Sequence, residues 1–384
     1  MAVEPQDPPA AEEGEEERQE DLRVSRLLSD RRQLVSLALV FVLAIVAIYF
    51  LLPKFVGLDD NLERIGEATW YWVGIAVGFN VLAFASYVAL FRGILGGPGE
   101  DEVRRRLDVR ASYQITMAGL AATRIFSAAG AGGIVVTYWA LRKAGMPRRR
   151  SACRMVAFLV LTYSVYLTAL VVFGILLRTG VLPGAAPVGG TIVPAAVAGA
   201  VMLLLGLVAL LPGNFERRIQ SVTGDGRVAR LAEKLATGPA TLATGVRTAL
   251  DYVKHPRRGA LAIAGAIGFW AAQIGILWAS FEAFGGHVAF GVLVQGFFVG
   301  MTANLIPSPA GGVGSVDAGM IGAFLLFGVD GATVFPAVLT YRIIAFWLPI
   351  PPGVVAYFQL VRTVHGWERE RGYTSQSKVT AEAT

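Results

Sequence analysis

Two arginines pose the first chemical question in this chain. Arg124 and Arg342 each lie in a stretch otherwise almost free of charge, and Asp317 follows the run Gly311-Gly312-Val313-Gly314. A guanidinium in hydrocarbon is costly unless it meets water, a carboxylate or a ligand, so two readings stand: a structural ion pair with Asp317, or an anion site. Glycine turns leave backbone N–H groups exposed, and together with Arg342 these can hold a phosphate. Asp317, with Ser315 expected as the N-cap ahead of it, either satisfies free amides at a helix start or orients Arg342 or carries a coupling proton. Other chemistry has little to stand on. His255, His287 and His365 lie far apart, and the single Cys153 provides neither a disulfide nor a thiolate cluster. There is no Gly-x-Ser-x-Gly elbow and no pair of carboxylates at catalytic spacing. The expectation is a protein without catalytic residues, metal or cofactor.

The elements that must position these residues are set by composition. Of 384 residues, 54% are hydrophobic and 16% charged, which places most of the chain in lipid. Backbone groups there must be paired internally, so helices are the default. Continuous apolar runs at 34–52, 69–91, 155–177, 191–212, 259–284 and 331–361 predict six crossings. Pro349, Pro351 and Pro352 predict a kink or break in the last. Two more apolar regions, 111–143 and 288–328, are interrupted by small residues at 128–133 and 308–314 and read as re-entrant hairpins or pairs of short spans.

Basic residues orient the chain. Of 34 Lys and Arg, 29 fall in 18–32, 92–110, 142–154, 213–258 and the segment from 362 onward, whereas 53–68, 178–190 and 285–290 together hold three. By the positive-inside rule both termini are cytoplasmic in a multi-pass cell-membrane protein. Hairpin 111–143 then dips in from inside and 288–328 from outside. Counting along each helix from its surface puts Arg124 and Arg342 about 20 Å deep, near the membrane middle. Residues 1–30 read as a disordered acidic cytoplasmic tail, 31–365 as the membrane domain and 366–384 as a polar C-terminal tail. Within the domain, 213–258 reads as an amphipathic cytoplasmic loop, with Leu231, Leu235, Leu242, Val246, Leu250 and Val253 among basic residues near anionic headgroups.

The two halves, 31–180 and 190–365, echo each other. Offset by 181 residues, 122–135 and 303–316 share seven of fourteen positions, and Val160-Leu161-Thr162-Tyr163 recurs as Val338-Leu339-Thr340-Tyr341. The predicted fold is an all-α polytopic membrane protein in which the two hairpins and six crossings form an inverted repeat. Such repeats are a recurring transporter design, because two near-equivalent packings expose one site alternately to either side.

The run from Asn304 through Pro307, Ser308, Pro309 and the glycines to Asp317, followed by Gly328 and then Tyr341-Arg342, resembles the lysylphosphatidylglycerol synthase transmembrane, or flippase-like, family. The resemblance covers roughly 30–365 and implies movement of lipids between leaflets. With Arg124 added from the reading of charge in an apolar stretch, the expected substrate-binding set is Arg124, Asn304, Ser308, Gly311, Gly312, Gly314, Asp317, Tyr341 and Arg342. Membrane lipids are the implied ligands, with a soluble or membrane-bound lipid- or glycan-modifying enzyme as candidate partner and no nucleic acid. The chain departs from the family at Gly132-Gly133-Ile134, where many relatives carry an acidic residue soon followed by arginine, and only about twenty polar residues follow the last apolar run. Lipid aminoacylation by this chain is therefore not expected. The leading expectation is a translocase for an anionic phospholipid or lipid-linked headgroup, working through the paired hairpin tips. The alternatives are a membrane enzyme and a non-transporting membrane subunit of a lipid or glycolipid synthesis system.

Overall fold

The computed structural model describes residues 69–95, 101–125, 131–210, 227–305 and 312–382. The first expected crossing and the acidic tail lie outside them, as do the two glycine-run segments 126–130 and 306–311. All regular structure among the described residues is helical. The helices are α1 (Trp70–Leu95), α2 (Asp101–Arg106), α3 (Val109–Ile125), α4 (Ala131–Lys143), α5 (Arg148–Arg178), α6 (Ile192–Ala209), α7 (Arg227–Lys254), α8 (Pro256–Ala283), α9 (Phe290–Met301), α10 (Ser315–Leu326), α11 (Gly331–Arg342) and α12 (Ile350–Glu382). Five spans are long and apolar enough to cross a membrane: α1, α5, α6, the 259–283 part of α8, and the run from Gly331 to Glu370 that joins α11 to α12. They coincide with the second to sixth apolar runs of the sequence. The last helix continues to Glu382, so the residues expected as a polar tail extend it.

At the centre α1 and α8 lie antiparallel. Thr69 N–H donates to the Ala283 carbonyl at one end, and Gly93 meets Ala262 at the other. Small residues let the two backbones touch: a Cβ on Gly265 would come within 2.4 Å of the Leu90 amide nitrogen. Trp72 and Trp278 close the first end edge to face, with ring centroids 5.0 Å apart.

The two glycine-broken regions are helical hairpins. In the first, α3 and α4 meet at Gly119 and Gly133. In the second, α9 and α10 meet at Gly300, where a Cβ would lie 2.6 Å from the Met320 Cα. Gly119 and Gly300 are related by the same offset of 181 that aligns the halves, and so are Gln114 and Gln295, both buried. Each hairpin packs its first arm antiparallel onto the helix closing the opposite half. Gln114 on α3 accepts a hydrogen bond from Thr363 of α12 at 2.9 Å, and Gly353 of α12 seats against Met117 and Ala121. On the other side Tyr166 of α5 donates to the Phe298 carbonyl of α9 at 2.6 Å, and Gly174 seats against Gln295. This reciprocity is what a two-fold relation between inverted halves produces.

The loop expected to be amphipathic contains α7. Its Gly245 packs on Val156 of α5, and Tyr252 donates to the Ile94 carbonyl of α1, which docks the helix on the bundle. Leu242, Leu250 and Val253 remain exposed on it.

The last crossing is interrupted, as its prolines require. Asp330 caps α11 by accepting from the Ala332 amide. After Arg342 the backbone makes a π-helical turn, Ile343–Trp347, in which Leu348 N–H reaches back five residues to the Ile343 carbonyl at 2.9 Å. The break thus begins a full turn before the first proline.

The Gly265 contact yields a direct check. Gly265→Val should destabilise the protein by about 1–3 kcal/mol, the usual cost of overpacking. Gly78→Ala on the same pair, with nothing within 4 Å of the added atom, should leave stability unchanged or slightly raised. Thermal unfolding of the two variants in detergent separates these outcomes.

Candidate functional site

The site begins at the start of α10. Gly312 and Gly314 have φ of +90° and +86°, values that side chains other than glycine rarely adopt. Gly314, not Ser315, is the N-cap: Ser315 is already the first helical residue, and only the glycine takes the reversed turn that starts the helix. Asp317 is three residues on and reaches back, its Oδ2 accepting from the Gly314 N–H at 2.8 Å. Its Oδ1 lies 2.7 Å from Arg342 Nε, an ion pair between α10 and α11 whose atoms fall outside hydrogen-bond alignment. Arg342 also donates through Nη2 to the Gly312 carbonyl at 3.1 Å. Its side chain is 6% exposed against 20% for Asp317, whose Oδ1 is nonetheless buried.

Arg124 arrives from the end of α3, on the other hairpin. It donates through Nη2 to the Ala345 carbonyl at 2.8 Å and through Nη1 to the Phe346 carbonyl. The sequence of the last apolar run explains why the Ala345 carbonyl is available. The helical donor for Ala345 would be the amide of residue 349, which is proline. The donor for Ile344 would be Leu348, whose N–H has gone to Ile343. Asn80 of α1 takes the Ile344 carbonyl at 3.0 Å. A carbonyl buried without a donor costs about as much as a lost hydrogen bond. Side chains of the first half thus complete the broken helix of the second.

Phe346 links the two cations. The Arg124 and Arg342 guanidinium carbons lie 4.9 and 4.4 Å from its ring centroid, within cation–π range. Two positive groups therefore share one aromatic ring, and Asp317 is the carboxylate paired with one of them. Among the described residues no carboxylate pairs with Arg124.

Of the residues expected from sequence, Arg124, Gly312, Gly314, Asp317 and Arg342 are brought together here. Asn304 is exposed beside Gly312, its Oδ1 2.8 Å from where a Cβ on that glycine would sit. Ser308 and Gly311 lie outside the described residues. Tyr341 turns into the core, where its hydroxyl donates to Gln273 Oε1 at 3.0 Å and its ring packs edge-on against Phe297. Neighbours on a helix point about 100° apart, so Tyr341 and Arg342 face different surroundings. Phe346 carried no sequence signal as a site residue. Asn80 lies in the apolar run 69–91, and nothing in the sequence names its partner. Pro349 did carry a signal, since a proline there orphans a particular carbonyl.

Apolar helices of membrane-spanning length, two helical hairpins and a partly buried arginine–aspartate pair beside a broken helix define an integral α-helical membrane protein with a charge cluster among its helices. The chain belongs to the lysylphosphatidylglycerol synthase TM region family, whose model matches residues 33–353. A UPF0104 membrane protein of Methanothermobacter thermautotrophicus is 30% identical over 86 residues, which is 22% of this chain and 26% of that protein's length.

Removing one partner of the pair leaves the other charge buried. Asp317→Ala should lower stability by about 3 kcal/mol. Asp317→Ala combined with Arg342→Ala should cost less than the sum of the two single changes. A double-mutant cycle in detergent measures the coupling, and strict additivity would contradict the pair as described.

Proposed function

We propose that this protein is a lipid translocase, carrying an anionic phospholipid or lipid-linked headgroup between leaflets past the paired hairpins while the acyl chains stay in lipid. The observation that carries this reading is the charge cluster on Phe346: two guanidinium groups and one carboxylate. A phosphate is the complementary ligand for such a cluster, because it accepts in the fork geometry guanidinium groups present. Arg342 and Arg124 are the headgroup ligands in this reading. Gly312, Gly314 and Asn304 form the surrounding backbone and polar rim, Ser308 and Gly311 join the headgroup set on the sequence alone, and Asp317 orients Arg342.

Family membership supports lipid as the cargo, and the reciprocal packing of the hairpins supports alternation between two states. The full arrangement we propose has six crossings and two re-entrant hairpins in a cell membrane, with both termini cytoplasmic. In this reading the chain moves lipid and performs no chemistry on it. Membrane lipids are its ligands, and a lipid-modifying enzyme supplies or consumes the headgroup.

In reconstituted vesicles of phosphatidylcholine and phosphatidylglycerol, leaflet exchange of labelled phosphatidylglycerol should fall about tenfold or more for Arg342→Gln, the factor expected for one lost charge-assisted hydrogen bond. Arg124→Gln should act in the same direction. Exchange at the unmodified rate in both variants would remove the arginines from transport.

A further inference from the structure

The charges gathered on Phe346 do not balance. Arg342 has Asp317 beside it, with Nε 2.7 Å from Oδ1, whereas no carboxylate among the described residues pairs with Arg124. One positive charge is left over, and it belongs to Arg124. Its donors are left over as well. A guanidinium carries five N–H groups, and here Nη1 donates to the Phe346 carbonyl and Nη2 to the Ala345 carbonyl. The Nε–H and the second Nη2–H meet no acceptor among the described residues, and together they form one edge of the guanidinium, a fork for two oxygens. The side chain is half-buried, so this edge lies in a partly dehydrated place. Asp317, by contrast, has both oxygens engaged: Oδ1 is buried against Arg342 and Oδ2 accepts from the Gly314 N–H.

We propose that the site takes a headgroup with a single negative charge, a phosphodiester, in preference to a doubly charged phosphomonoester, and that Asp317 sets this limit through its charge, without touching the headgroup. The proposal rests on the reading of the two arginines as a headgroup site. A phosphodiester has one negative charge and two non-ester oxygens, which matches the one charge and two N–H groups on the open edge of Arg124. Bound there, it leaves the cluster neutral and keeps both carbonyl contacts of Arg124 intact. A phosphomonoester, whose second pKa is about 6, brings one charge too many. Away from water, attraction to the site grows in proportion to a ligand's charge, while the cost of removing its hydration grows with the square. The second charge therefore gains less than the first. Asp317 reduces that gain further, because it repels a dianion twice as strongly as a monoanion. At about 10 Å in an effective dielectric of about 20, one such charge changes binding by about tenfold. A zwitterionic headgroup brings no net charge and leaves Arg124 uncompensated, and its ammonium finds the Asp317 oxygens already engaged.

Three lipids with the same acyl chains separate charge from the rest of the headgroup. Phosphatidylmethanol and phosphatidylglycerol are monoanionic diesters, and phosphatidic acid at pH 8 is the dianionic monoester. Each is spin-labelled on an acyl chain, and its association with the full chain in phosphatidylcholine nanodiscs is measured by electron paramagnetic resonance. The share of association that Arg124→Gln removes is the site's own. In the unmodified protein, phosphatidylmethanol and phosphatidylglycerol should bind alike, and phosphatidic acid about tenfold more weakly. Asp317→Asn, which keeps the side chain's shape and an acceptor oxygen for Gly314, should raise phosphatidic acid about tenfold relative to phosphatidylmethanol. Asp317→Glu should leave that ratio as it was. A carboxylate that served the fold alone would, when lost, weaken all three lipids together. Phosphatidic acid held as tightly as phosphatidylmethanol by the unmodified protein, or a ratio indifferent to Asp317→Asn, overturns the proposal; the first comparison needs no variant at position 317 to fold. Failure of the headgroup reading looks different. Phosphatidylglycerol association unchanged in both Arg124→Gln and Arg342→Gln removes the site and the charge limit together, whereas association lost in these variants with an unaltered phosphatidic acid ratio removes the charge limit alone.

Discussion

A buried peptide carbonyl must find a donor, and in the last apolar span of this protein the chain itself withholds one. Proline at 349 and the π-helical turn ahead of it leave the Ile344 and Ala345 carbonyls without their helical amides. Satisfying them requires side chains from elsewhere at that depth, and the donors are Asn80 and Arg124. Much of the central arrangement is a consequence of this requirement. The first hairpin is tied to the last crossing, α1 is tied to the same segment, and a guanidinium is fixed next to Phe346, where a second one from Arg342 already lies.

The second hairpin meets this place through a different interaction. Gly314 starts α10 in a conformation suited to glycine, and Asp317 reaches back to its amide while meeting Arg342 across the helix pair. The carboxylate thus serves a helix start and an ion pair at once. The reciprocal seating of the hairpins, α3 on α12 and α9 on α5, brings both arrangements to one site from opposite halves.

Much of this was legible in the sequence, and the exceptions have physical causes. Arg124, Arg342 and Asp317 stood out because charge in an apolar stretch needs an explanation, and the proline cluster announced a break. The five described helices of membrane-spanning length coincide with runs of apolar residues in the sequence. The offset of 181 placed the hairpins in register, and its extension to Gln114 with Gln295 and Gly119 with Gly300 became meaningful once those residues were seen buried or closely packed. The partner of Arg124 was not legible, because a contact across 221 residues depends on how the halves seat. The direction of Tyr341 was hidden as well: adjacency to Arg342 in sequence says nothing of which face meets the core. Ser315 was the better N-cap by residue type, yet backbone geometry gave that role to Gly314.

The central claim is that the two arginines form one anion site for a lipid headgroup. Solid-state dipolar recoupling between the headgroup phosphorus of phosphatidylglycerol and 15N-labelled arginine side chains tests it most directly, with Arg124→Gln and Arg342→Gln assigning the signals. The account predicts phosphorus within about 4 Å of guanidinium nitrogen, the separation of a direct guanidinium–phosphate hydrogen bond. It also predicts that each substitution removes its share of the coupling. A coupling that survives both substitutions unchanged, arising from surface arginines alone, would contradict it.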